Sequence, residues 1–295
     1  MMTPFQVTVH PLPTINHVSL TAYERLTSSS TPKNALVFIG GLTSGPHTTP
    51  LDFLTTDAVL GNGTWSIWEL RMRSSFSGFG YSSLKNDAED LAVLVSYLRK
   101  QGKEKVVFMG CSTGCQDILE YAKTKDTPAV DGYILTSPVS DREAAFLFMK
   151  PESLSKSVSV AKNLIDAGKA EEAMPREDLP FIFTTPITAY RWYSLAAVGG
   201  DDDFFSSDLP GLHLQKIFGS VNKPILILPA GEDEMVPPTV DRDALLKRWI
   251  AACLPGIVRE DLSGFVPGAD HVISSDDAQR FVAARVGEFL RDLLL

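Results

Sequence analysis

The sequence predicts an α/β fold built on a mostly parallel central sheet with helices on both faces. Three observations carry this prediction. Strand-like and helix-like segments alternate along most of the 295 residues. Several strand candidates are continuous apolar runs, the pattern of strands covered on both faces. One of these runs passes through a Gly-Cys-Ser-Thr-Gly turn directly into a helical pattern.

The elements follow in order. Phe5 to His10 and Val18 to Arg25 are predicted as an opening pair of strands, Ala35–Ile39 as a fully apolar strand, and Trp65–Leu70 as the next. Asn86 to Lys100 is predicted as a helix, because Leu91, Leu94, Val95 and Leu98 recur on one face and Asn86 with Glu89 has capping-box spacing. Val106 to Met109 and Gly132 to Thr136 are strands, with a helix over Cys115–Tyr121 between them. Pro224–Leu228 is a further buried strand, Asp241–Ala252 a helix, and Ile257–Leu262 a final strand. Asp276–Leu293 closes the chain as a helix whose apolar face is Val282, Val286, Phe289, Leu290 and Leu293.

Residues 141–215 break the alternation and carry a concentration of aromatics, among them Phe146, Phe148, Phe181, Phe183 and Trp192. An insertion between the sixth and seventh strands lies over the carboxyl ends of a parallel sheet, where ligands bind. The expected organisation is therefore a core of residues 1–140 and 216–295, with a cap or lid at 141–215.

Bulk properties exclude several classes. A hydrophobic content of 44% supports a sizeable core. A formal charge of −9 argues against nucleic acid and anionic membranes as partners, since both require basic surfaces. No stretch approaches the roughly 18 apolar residues of a membrane span. Met1–Gln6 has neither the basic region nor the apolar core of a secretory leader, so a cytoplasmic location is expected. The three cysteines give no disulfide framework, and Cys111 with Cys115 lacks the further ligands of a metal site. No metal or cofactor is expected.

Gly110-Cys111-Ser112-Thr113-Gly114 has the G-x-S-x-G pattern of a nucleophile elbow, a tight turn that lifts the central hydroxyl out of the sheet. A serine hydroxyl needs a base, and the base needs an orienting carboxylate. In such folds the chain order is serine, acid, histidine. Asp233 follows a buried strand and is the candidate acid, with Glu232 and Glu234 read as solvated loop charges. His271 is the candidate base, because it alone of the five histidines comes after Asp233. The oxyanion hole requires two backbone N–H groups, assigned to Thr113 and to Leu42 in the loop Gly40–Gly45. His47 lies near that loop and has no assigned role. Cys111 is expected to point away from Ser112 and pack as a small apolar group. Candidate substrate contacts are Gly41, Thr43, Arg73, Trp192 and Asp202. For Arg73 a surface ion pair is the competing reading, and for Asp201–Asp203 a solvated or capping loop.

Together, Gly40-Gly41-Leu42-Thr43, the elbow, Asp233 and His271 resemble the α/β-hydrolase superfamily over nearly the whole chain. Val236-Pro237 after Asp233 has the spacing usual in that superfamily. Residues 110–117 and 199–209 further resemble a largely fungal family that includes the SidJ-type siderophore esterases. That resemblance implies intracellular cleavage of ester bonds in fusarinine-type hydroxamate siderophores, a step in iron metabolism. The sequence departs from the commoner pattern by carrying Gly40 and Cys111 where relatives carry histidine. Two other readings stand beside it: a lipase, thioesterase or acyltransferase acting on another acyl group, and a non-catalytic ligand-binding protein of hydrolase fold.

Overall fold

A computed structural model describes residues 4–15, 17–25 and 31–295. Met1–Thr3, half of the stretch read for a leader, lie outside the described residues. Alternation of apolar side chains across each strand builds two hydrophobic layers. In β3 (Asn34–Ile39), Ala35, Val37 and Ile39 face one layer, while Leu36 and Phe38 face the other. In β5 (Lys105–Cys111) the same division holds, with Val106 and Phe108 against Val107 and Met109.

Around these strands run β1 (Thr8–Pro11), β2 (Thr21–Arg25), α1 (Asp57–Leu60), β4 (Trp65–Arg71), α2 (Leu84–Lys100), α3 (Thr113–Lys123) and β6 (Gly132–Thr136). Then come α4 (Asp141–Ala144), α5 (Pro151–Asp166), α6 (Ala189–Ala196), α7 (Gly211–Phe218), β7 (Ile225–Leu228), α8 (Arg242–Ala252) and α9 (Asp276–Asp292). The sheet order is β1-β2-β4-β3-β5-β6-β7. The first two strands are antiparallel and the other five parallel. α2, α3, α7 and α8 cover one face, while α1 and α9 cover the other. The chain leaves β3 towards β4 on one side, then returns to β5 on the other. This reversal opens a crevice at the carboxyl ends of β3 and β5, where Ile39 stands opposite Gly110.

Two expectations shift. The long helix begins at Leu84, because the Ser83 hydroxyl accepts the Asn86 N–H at 3.2 Å; the cap lies one turn earlier than the Asn86–Glu89 pair suggests. The predicted last strand, Ile257–Leu262, is not continuous. The chain bridges β7 at Val258, turns outward where the Ser263 N–H meets the Arg259 carbonyl, and returns to bridge Ala230 at Val266. Apolar content is legible there, but the turn interrupts the ladder.

Residues 141–215 divide between two environments. Ala145, Leu154, Ala161, Met174 and Trp192 form a separate cluster with Phe79. Phe204, Phe205, Leu209 and α7 instead join the core layer beneath the sheet. No helix of the described residues is long and apolar enough to cross a membrane.

Candidate active site

Ser112 closes the turn between β5 and α3 with φ 55° and ψ −124°, a strained backbone that only a tightly packed turn maintains. The flanking glycines make that packing possible. A Cβ on Gly110 would stand 2.3 Å from the Gly114 carbonyl oxygen, and one on Gly114 would stand 2.2 Å from that of Ile39.

His271 Nε2 lies 2.9 Å from Ser112 Oγ, and His271 Nδ1 lies 3.0 and 2.9 Å from the two Asp233 oxygens. Asp233 is buried and also accepts the Met235 N–H at 2.9 Å. Arg242 steadies the acid loop by donating to the carbonyls of Gly231 and Asp233 at 3.0 and 2.7 Å. On the other side of the ring, the exposed Glu234 accepts the His271 backbone N–H at 2.8 Å. The sequence reading gave Glu234 no role; adjacency to Asp233 was the only signal.

Burial of the His271 ring favours its neutral form. The Asp233 hydrogen bond and charge, with Glu234 and Asp141 behind them, outweigh that and raise its pKa above the ordinary 6.5. Cys111 is half-buried: it lines the cavity beside Ser112 and also packs, as a small apolar group, against the core layer that holds Val107 and Met109. Burial first, then the Asp233 charge, pushes its thiol up to about 11, so it carries no thiolate at neutral pH.

The loop after β3 comes very close to the serine. A Cβ on Gly41 would meet Ser112 Cβ at 2.8 Å. The N–H groups of Leu42 and Thr113 have no backbone or side-chain acceptor among the described residues.

Ser112 and His271 open into a cavity of about 400 Å³. Gly41, Thr43 and Trp192 line it, together with Phe148, Phe183 and Met235, which the sequence reading did not single out as contacts. Among the described residues Asp141 is its one acidic residue, and no lysine or arginine lines it.

Two candidate contacts lie elsewhere. Arg73 donates to the buried Asp90 at 2.9 Å, to Glu89 at 2.9 Å and to the Asn86 carbonyl at 2.7 Å, because Asp90 has no water to solvate it. Asp202 is buried against Arg191 at 2.6 Å and Ser194 at 2.6 Å. Asp203 is likewise buried, paired with Arg142 and accepting the Gly199 N–H at 3.0 Å. Asp201 is exposed and accepts the Tyr190 hydroxyl at 2.5 Å, so the Asp201–Asp203 run is solvated at its first residue only. Its last two members anchor α6 and α4 through buried ion pairs. His47 is held on β4 by Glu69 at 2.8 Å.

The family described as "Protein of unknown function (DUF1749)" matches residues 2–291. A UPF0613 protein of Schizosaccharomyces pombe is 34% identical over 287 residues, covering 90% of each chain. The fusarinine C esterase sidJ of Aspergillus fumigatus is 30% identical over 315 residues, covering 88% of each. Among solved structures, the siderophore hydrolase EstB from Aspergillus fumigatus superimposes with a TM-score of 0.81 at 28% identity, covering 99% of this chain and 98% of that one.

Proposed function

The chain belongs to the DUF1749 family and is an ester hydrolase of α/β-hydrolase fold, and from that premise we propose that it cleaves carboxylic esters through an acyl-enzyme on Ser112. The observation that carries the reading is the unbroken line from Asp233 through His271 to Ser112, with hydrogen bonds of 2.9 Å at both ends of the ring and a cavity beyond.

Neutral His271 takes the Ser112 proton on Nε2 as Oγ attacks the ester carbonyl. The negative oxygen of the tetrahedral intermediate accepts from the Leu42 and Thr113 N–H groups. Collapse breaks the ester C–O bond, and the imidazolium gives its proton to the departing alkoxide. Water, deprotonated by His271, then attacks the acyl-serine and releases the acid. Asp233 fixes the tautomer with the proton on Nδ1 and stabilises the imidazolium. Within residues 141–215, the part that clusters around Trp192 serves as the cap, with Phe148, Phe183 and Trp192 forming the substrate-facing wall.

The substrate class we favour is a fusarinine-type hydroxamate siderophore ester, on the strength of the sidJ and EstB relatives. The largely apolar wall also favours a second reading, an ester with a plain apolar acyl chain.

Incubation with ferric and iron-free fusarinine-type siderophores, beside p-nitrophenyl esters, tests the substrate. Ser112→Ala tests the chemistry, and a fall in kcat of at least about 10³-fold is expected. Near-normal turnover by that variant, or failure of a fluorophosphonate to label Ser112, refutes the nucleophile.

A further inference from the structure

We propose that Asp141 is the docking point for a primary ammonium group carried by the substrate, so that the cavity selects cationic amino esters over neutral esters of the same size. This inference rests on the ester-hydrolase reading above and specifies its substrate.

The cavity wall is the first ground. Leu42, Val139, Ala145, Phe148, Phe183 and Trp192 give it an apolar character. Among the described residues Asp141 is the sole carboxylate against that wall, and the only other ionisable side chains lining the space are His271 and Cys111. With no cation in the lining, the unmet electrostatic demand is for positive charge.

The second ground is how Asp141 is held. It occupies the first turn of α4, behind the cap Ser140, whose hydroxyl accepts the Glu143 N–H at 3.0 Å. Gln116 Nε2, on α3, donates to Asp141 Oδ2 at 2.6 Å. That bond fixes the carboxyl group and uses one oxygen. Oδ1 has no hydrogen-bond partner among the described residues, and no salt bridge reaches this side chain. The nearby cations are committed: Arg191 to Asp202 at 2.6 Å, and Arg142 to Asp203 and Asp208. A fixed carboxylate with one free oxygen in an apolar wall is a receptor for an N–H⁺ donor.

The third ground is its relation to the chemistry. Asp141 lies near enough to His271 for its charge to raise the imidazole's pKa. In return, burial and Asp202 push the Asp141 carboxyl up to about 7, against the opposing charges of Arg191 and His271. A carboxylate whose ionisation is held back by burial gains most when a cation arrives to pair with it. An ammonium docked there would also offset the carboxylate's pull on the proton of His271. A bound cationic substrate thereby favours the neutral base that the first step requires.

The experiment compares matched esters at neutral pH, following the acid released. Methyl hexanoate is set against the methyl esters of 2-aminohexanoic and 6-aminohexanoic acid, and hexyl acetate against 6-aminohexyl acetate. In the unaltered enzyme at least one amino ester should exceed its neutral partner in kcat/KM by about tenfold, the effect of one partly desolvated ion pair. In Asp141→Asn that ratio should fall towards one, chiefly through KM, while Asp141→Glu should retain part of it. Because the readout is a ratio, any general loss of activity in a variant cancels. A ratio at or below one for every pair, or one unchanged in Asp141→Asn, overturns the proposal while leaving the esterase reading intact. No turnover of any ester, with Ser112 unlabelled by fluorophosphonate, overturns both. If Asp141→Asn does not fold, inhibition of the unaltered enzyme decides: hexylammonium should compete at least several-fold better than hexanol, and equal inhibition sinks the idea.

Discussion

Asp233 and Asp202 are buried to nearly the same degree, 2% and 1% exposed, and each is bonded to a basic side chain of the fold. The partner of Asp233 is an imidazole whose far nitrogen faces a serine and a cavity. The partner of Asp202 is a guanidinium that is itself 2% exposed and donates its Nε–H to the Phe79 carbonyl at 3.1 Å. Burial and charge pairing are common to both sites, so neither marks chemistry. The difference lies in the basic group. An imidazole exchanges a proton near neutral pH, whereas a guanidinium keeps its proton throughout that range. On the proposed mechanism the first pair serves proton transfer, while the second ties α6 to the segment around Asp202.

That contrast breaks most sharply under substitution of the two aspartates. Asp233→Asn should lower kcat by about 10³- to 10⁴-fold, because the amide favours the wrong imidazole tautomer, and it should change stability little. Steady-state kinetics with a denaturant titration separates the two effects. Asp202→Ala should do the reverse. It strands the Arg191 charge in the interior and should cost about 3–5 kcal/mol of unfolding free energy, with KM of the folded fraction near normal. Equal loss of activity and stability in both variants would erase the distinction.

A smaller effect is expected at the wall between the two sites. Phe183 packs against Phe79 and Trp192, with ring centroids 5.6 and 6.4 Å away, and lines the cavity. Phe183→Ala should raise KM for bulky esters by about tenfold while leaving short acetyl esters nearly unaffected.

The finest test is the pH profile. On the proposed mechanism His271 acts only when neutral, so activity should be present above its raised pKa and lost as pH falls through it. Because Glu234 adds to that rise, Glu234→Gln should move the acid limb of kcat/KM to lower pH while preserving an acceptor for the His271 N–H. An unmoved limb would show that the exposed glutamate is screened by solvent.

The outcome was legible unevenly along the chain. The elbow could be read because its constraint is local: two glycines around a serine are what a strained turn between strand and helix requires. The loops that carry Asp233 and His271 could be read because topology leaves few loops at the carboxyl edge of the sheet. The ion pairs of Asp202 and Arg73 were not legible, because a charged residue in sequence carries no sign of the partner it meets in the fold. Asp141 attracted no attention for the same reason: next to Arg142 and Glu143 it reads as one charge of an ordinary helix start.

The amino-acid sequence by itself determined the layered fold, the strained turn at Ser112 and the loops that carry Asp233 and His271. Those depend on apolar periodicity and short-range backbone sterics, which are written residue by residue. The tertiary structure alone decided which charges face the cavity and which are sealed beneath the cap. Whether a carboxylate meets a fixed guanidinium, an exchangeable imidazole or an empty space depends on segments that are distant in the chain, and that pairing is set only when the layers close.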